Sequence, residues 1–248
     1  MKLDHAILQK LAVRLRVDDY VRILPRAHAA TPLGMGFGKT RFSSPRDTFK
    51  LLYLAQDVTT AVAEAIVRDR FEGTSQRVLL REELDRYSIT SVRNRRPLLL
   101  LDLRHEGANL LGISTDAVRA KAQIAGRRFS QKLYEQTEFD GIVYMSRITN
   151  KQCLAIYDRA VETGLEADSP AINLSHLGSL ATVINDLHIV VLKEQRPFPP
   201  SEMARKRVCA GFGFHLQHQN HLIHPRGLAL SNRLDYEKAT VHGQDAMQ

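Results

Sequence analysis

The apolar residues of this chain fall in short runs, and that constrains its fold more than anything else. Phe49–Ala55 (FKLLYLA), Pro97–Leu103 (PLLLLDL), Gly141–Ser146 (GIVYMS), Cys153–Asp158 (CLAIYD) and Leu187–Leu192 (LHIVVL) are each of strand length. Asp19–Leu24 (DYVRIL) and Gln76–Leu80 (QRVLL) read as two further strands. None approaches the roughly 20 apolar residues that a membrane-spanning helix needs. Helical periodicity is rarer. Leu8, Leu11, Ala12 and Leu15 share one face and predict a helix over residues 6–15. Asp57 is placed to cap a helix through about residue 70, with Val58, Ala61, Val62, Ala65 and Ile66 as its apolar stripe. Ser114-Thr115-Asp116 opens a long helix whose inward residues are Val118, Ala122, Ala125, Phe129 and Leu133. Consecutive strands that outnumber the helices predict an α+β fold, a mixed-sheet core with flanking helices, rather than a regular βαβ alternation.

The pattern stops near Arg196. Pro197, Pro199 and Pro200 break the chain, and the polar remainder shows little periodicity. Residues 1–196 are therefore expected to form the folded domain. Residues 197–248 are expected to be an appendage or partly disordered tail, with Ser201–Val208 as its one helical candidate. Wholesale disorder is excluded, because 44% of the 248 residues are hydrophobic and only 25% are charged. Cys153 and Cys209 make no disulfide framework, and MKLDHAILQK has neither an apolar signal core nor a cleavage site. A cytoplasmic location with no membrane partner is expected.

The net charge of +8 favours anionic partners without choosing among them. Arg119, Lys121, Arg127, Arg128 and Lys132 would carry a nucleic-acid-binding alternative. They read instead as a solvated helix face, and no nucleic-acid-binding motif accompanies them. Gly34-Met-Gly36-Phe-Gly38-Lys39-Thr40 fails as a phosphate loop, because the required spacing puts Leu33 where a glycine belongs. It fails as a dinucleotide fingerprint too, with Lys39 in place of the third glycine. It reads as a flexible loop over a ligand. His215, His218, His221 and His224 lack a carboxylate or cysteine to complete a metal site, so no resident metal is expected. Cys153, inside an apolar strand, has no nucleophile context.

One segment remains dense in chemistry. Arg41 follows the glycine-rich loop, Tyr53 lies in a strand, and Glu64 lies at the rim of the next helix's apolar stripe. Glu64 has two readings, a surface ion pair with Arg68 at i+4 or a site carboxylate. The wider arrangement resembles the RES domain family. The residues that carry the resemblance are Arg22 in YVRIL, Arg41-Phe42, Leu52-Tyr53-Leu54-Ala55 and Ala61-Val62-Ala63-Glu64. Phe139-Asp140-Gly141-Ile142-Val143-Tyr144-Met145-Ser146 and Cys153-Leu154-Ala155-Ile156-Tyr157 complete it. Order and spacing agree across residues 20–192.

The resemblance implies a fold related to ADP-ribosyltransferases, with an NAD-binding cleft. It also implies a toxin that degrades NAD by phosphorolysis or hydrolysis, or one that transfers ADP-ribose to protein, restrained by a helix-turn-helix antitoxin. NAD is then the substrate, inorganic phosphate a candidate co-substrate, and no cofactor is expected. The residue types suit that chemistry. The nicotinamide of NAD is already a cationic pyridinium and leaves neutral, so no general acid is needed. A single carboxylate, Glu64, suffices where a glycosidase needs two. Arg41 and Arg22 are expected to hold the pyrophosphate as planar bidentate donors. Tyr53 is expected to offer its ring to the nicotinamide, Ser146 to hydrogen-bond the ribose, carboxamide or acceptor, and Arg147 to assist an anionic acceptor.

Overall fold

The computed structural model describes residues 3–193 apart from 69, 72–73, 75, 114–122 and 169. In chain order the strands are β1 (Ala12–Leu15), β2 (Tyr20–Pro25), β3 (Leu51–Ala55), β4 (Arg77–Leu80), β5 (Tyr87–Asn94), β6 (Leu98–Asp102), β7 (Gly141–Met145), β8 (Gln152–Tyr157), β9 (Leu165–Ala167), β10 (Ile172–Asn173) and β11 (Ile189–Leu192). The helices are α1 (His5–Lys10), α2 (Val58–Val62), α3 (Arg81–Leu84), α4 (Gly107–Leu110), α5 (Ile124–Gln136), α6 (Asp158–Gly164) and α7 (Leu180–Asp186). The main sheet runs β1–β6–β7–β8–β3–β2–β5–β10, with β9 also on β5, while β4 and β11 form a separate parallel pair. Within the main sheet only β6–β7 is parallel. This is the α+β architecture with flanking helices that the run lengths predict. No helix among the described residues is long and apolar enough to cross a membrane.

The central strands are apolar on both faces because both faces are covered. On one side Leu52, Leu54, Leu98, Leu100, Val143, Leu154 and Ile156 pack with Ala160 and Val161 of α6. On the other, Leu101, Ile142, Tyr144, Ala155 and Tyr157 pack with Ala61 and Val62 of α2 and Phe129 and Leu133 of α5. Gly141 begins β7 where no side chain fits: a Cβ there would stand 2.4 Å from the Ala155 carbonyl oxygen. The preceding Asp140 anchors this edge. Its carboxylate accepts two hydrogen bonds from Arg96, at 2.7 and 2.9 Å, and one from the Leu99 N–H at 2.8 Å.

Asp57 does cap α2, its Oδ1 accepting from the Thr60 N–H at 2.8 Å. The helix then widens into a π-helical turn over Ala63–Val67. The expected first helix is shorter than its stripe. It ends at Lys10, and Ala12–Leu15 pairs antiparallel with Leu98–Leu101 instead. The leucine-rich β6 needs an outer partner, and that pairing outweighs the local periodicity. Ala125 faces outward, whereas Phe129 and Leu133 are buried. Ser114-Thr115-Asp116, Val118, Arg119, Lys121, Ala122, and residues 197–248 with Cys209 and the four spaced histidines, lie outside the described residues.

β2 and β3 pair at one position only, Val21 with Ala55. A cavity of about 280 Å³ opens where the two strands part, beside α2, β7 and β8.

Candidate active site

The cavity wall is built from Val21 and Ile23 of β2, Tyr53 and Ala55 of β3, Ala61 of α2, Glu64 and Arg68 on and after the π-helical turn, Tyr144 of β7 and Cys153 of β8, with Thr40 at its rim. The volume lies near the small end of ligand pockets, roughly 300–1,000 Å³. That suits one half of a dinucleotide better than the whole.

Glu64 is held from both sides. The Ser146 hydroxyl donates to its Oε1 at 2.8 Å, and Arg68 donates to its Oε2 at 2.9 Å. The Glu64–Arg68 pair is a wall of the cavity and not a surface contact, with only 12% of the glutamate and 15% of the arginine side chain exposed. The expected i+4 ion pair with Arg68 is present, but it is buried in the cavity wall and not on the surface. Ser146 is itself fixed by the turn that joins β7 to β8. Its N–H donates to the Lys151 carbonyl at 2.8 Å, and its Oγ accepts from the Ile148 and Thr149 N–H groups at 3.2 and 3.3 Å. With both amides donating in, the hydroxyl hydrogen is left to point at the carboxylate. Thr149 ties the same turn to α2 through Thr60, hydroxyl to hydroxyl at 2.9 Å.

Arg41 is 5% exposed, and its Nε has no hydrogen-bond partner among the described residues. Burial lowers its pKa. Its guanidinium carbon lies 5.9 Å from the centre of the Tyr144 ring. An orphaned donor on a buried cation costs free energy unless something accepts from it. An anionic ligand would supply that acceptor. The loop that carries Arg41 is fastened on both sides. Tyr53 Oη accepts from the Phe42 N–H at 3.3 Å and bonds Thr40 Oγ1 at 2.7 Å. Arg127 donates to the carbonyls of Ser43 and Ser44 at 3.2 and 2.7 Å. Arg127 thus serves this loop rather than a solvated basic face. Tyr53 is consequently more than a ring in the wall, since its hydroxyl anchors the Arg41 turn. Burial raises the Tyr53 pKa, and it raises that of Tyr144 well above the ordinary value. It also pushes the Cys153 thiol up, so Cys153 stays a neutral wall residue.

The structure thus brings Glu64 and Tyr53 to the cavity wall, joins Ser146 to the Glu64 carboxylate and places Arg41 near Tyr144 of the same wall. It does not bring Arg22 there. Val21 and Ile23 line the cavity, so the alternation of β2 turns Arg22 to the other face. Its guanidinium donates to the carbonyls of Pro32 and Gly34 at 2.7 and 2.8 Å, holding the start of the glycine-rich loop. Burial lowers the Arg22 pKa to about 10. Arg147 is exposed beyond Ser146, close enough to lower the Arg41 pKa as a like charge. Two site residues went unassigned in the sequence, Tyr144 and Arg68. Tyr144 is two residues before Ser146 and shares its strand face, and Arg68 stands at i+4 from Glu64. Both signals are visible once Glu64 and Ser146 are known to meet.

The mixed α+β sheet with a carboxylate, serine and two arginines gathered beside a split between strands defines the class. The RES domain family model matches residues 14–175, and the chain belongs to that family. A probable toxin, y4kH, of Sinorhizobium fredii (strain NBRC 101917 / NGR234) is 34% identical over 111 residues, 44% of this chain and 87% of that protein. The crystal structure of the M. tuberculosis MbcT–MbcA toxin–antitoxin complex contains a chain that superposes with a TM-score of 0.54 at 15% identity. The match covers 75% of this chain and 99% of that one, and at this identity it speaks for the fold alone.

Proposed function

We propose that this protein is the toxin of a toxin–antitoxin pair and that it cleaves the nicotinamide–ribose bond of NAD. The observation that carries the reading is the Glu64 carboxylate, fixed by Ser146 and Arg68 in the wall of a cavity that also contains two tyrosines. As the C–N bond breaks, its electron pair leaves with nicotinamide, which departs neutral, and positive charge develops on the ribose. In this reading Glu64 stabilises that charge, an electrostatic effect worth a few kcal/mol. Ser146 and Arg68 hold the carboxylate without using all its lone pairs, so it can still accept from ribose hydroxyls. Tyr53 or Tyr144 offers a ring to the pyridinium. Arg41 offers its unpaired donor to the pyrophosphate.

The acceptor is inorganic phosphate or water. With phosphate, one of its oxygens forms the new bond to the anomeric carbon, giving ADP-ribose 1″-phosphate. With water, the product is ADP-ribose and a proton is released. The toxin assignment draws on the two relatives, one called a probable toxin and the other part of a toxin–antitoxin complex. The toxin–antitoxin complex of the structural neighbour supports an antitoxin partner for this chain as well, and the reading extends to one of the helix-turn-helix type that covers the cleft. The test is incubation of the purified protein with NAD, with and without phosphate, followed by mass spectrometry. Phosphate-dependent NAD loss means phosphorolysis, and loss without phosphate means hydrolysis. A gain of one ADP-ribose on protein would show transfer instead. Intact NAD under all conditions contradicts the proposal.

A further inference from the structure

The turn that carries Glu64 is unusual, and it decides what the carboxylate meets. The Arg68 N–H reaches back five residues to the Ala63 carbonyl at 2.9 Å, the spacing of a π-helical turn. Such a turn is wider than an α-helical one. It sets Glu64 and Arg68 side by side on the cavity wall, with Ala61 and Ala65 leaving room in front of them. A free glutamate has three rotatable side-chain bonds and would sample many carboxylate orientations. Ser146 alone fixes one oxygen and leaves the plane of the group free to turn about it. Arg68 fixes the other oxygen.

We infer that Arg68 is a positioning residue for the reaction, clamping the Glu64 carboxylate in one orientation against Ser146. It acts through Glu64 and need not touch the substrate. A simple helix-stabilising ion pair would be indifferent to where the carboxylate points. The arrangement here is not, because the pair is largely buried and its acid is bonded to a residue from a distant strand end. Other charged and titratable groups near the pair are Arg41 in the loop and Tyr53, Tyr144 and Cys153 on neighbouring strands. Among the described residues the hydrogen bonds to the Glu64 carboxylate come from Ser146 and Arg68, so these neighbours do not duplicate the clamp.

The kinetic part of this inference rests on the NAD-cleavage reading; the geometric part does not. Both are tested with Arg68→Gln and Arg68→Lys in the full chain. Arg68→Gln is expected to lower kcat about a hundredfold, the cost of misplacing a group by about an ångström. KM for NAD should stay near that of the wild type, since the loss falls on the transition state. Arg68→Lys should recover part of kcat, because an ammonium can still hold one oxygen. Crystal structures of the two variants give the readout that needs no activity. Glu64 should swing off Ser146 in Arg68→Gln and remain on it in Arg68→Lys. If the wild type leaves NAD intact, the functional reading fails and the structures alone decide the clamp. Wild-type kcat in Arg68→Gln, or Glu64 still on Ser146 in its structure, would overturn the inference. So would a KM rise and a melting-temperature loss that together account for the whole defect.

Discussion

The Ser146 hydroxyl donates to Glu64 Oε1 at 2.8 Å across 82 positions of sequence. It joins the π-helical turn after α2 to the β7–β8 turn at the cavity. Two segments that look unrelated along the chain are thereby made into one site.

The first prediction follows from that bond. Ser146→Ala removes a charge-assisted hydrogen bond worth roughly 1.5–3 kcal/mol. If the bond is needed in the transition state, NAD turnover falls about ten- to hundredfold. The Ile148 and Thr149 amides also lose their acceptor. A melting temperature a few degrees lower is therefore expected, with the fold intact by circular dichroism. Unchanged turnover would remove Ser146 from the site.

Arg41 makes the second prediction. Its buried Nε has no partner among the described residues, and an arriving anion would satisfy it. Calorimetric NAD affinity should fall strongly in Arg41→Ala and recover only in part in Arg41→Lys, since an ammonium cannot give a two-point phosphate contact. Stability of the ligand-free protein should change less than affinity does, because the lost group had an unmet donor to begin with. Equal affinity in wild type and Arg41→Ala would show that this residue does not hold the phosphates.

Asp140 gives a pH prediction independent of catalysis. Burial would raise its pKa, but the hydrogen bonds from Arg96 and the Leu99 N–H outweigh burial, and the net direction is down. A carboxyl group whose folded pKa is depressed contributes stability above its unfolded pKa, ordinarily about 3.9, and loses it as pH falls through the folded value. Asp140→Asn should therefore cost about 2 kcal/mol near neutral pH. The gap from wild type should narrow as pH drops below about 4. Denaturant titrations at several pH values measure it, and a gap that widens in acid would contradict the account.

The sequence made the central strands and the Asp57 cap legible because their signals are local. β5 was not legible. Its buried Ser88 and Thr90 break the apolar pattern, and both tolerate burial only in the folded chain, where the Thr90 hydroxyl donates to the Asp168 carbonyl at 2.6 Å. Ala12–Leu15 misled for the opposite reason, since its apolar spacing suits a helix and only pairing with β6 makes it a strand. At the site, Arg41, Tyr53, Glu64 and Ser146 were singled out from residue type and family likeness. Their roles depend on distances that spacing cannot supply. Arg22 shows the limit. Its side chain is turned away by strand alternation and is taken up by two loop carbonyls. Parity against Val21 and Ile23 was readable, but which parity faced the cavity was not.

Glu64→Gln tests the central claim most directly. The amide keeps the shape of the side chain and can still bond Ser146, so the fold should be kept, with some loss of stability from the broken pair with Arg68. The negative charge that stabilises the developing cation is gone. Turnover of NAD by purified wild type and Glu64→Gln, followed by mass spectrometry in the presence of phosphate, should differ by several orders of magnitude, with NAD affinity much less changed. Wild-type turnover in Glu64→Gln, with a normal melting curve, would contradict the account.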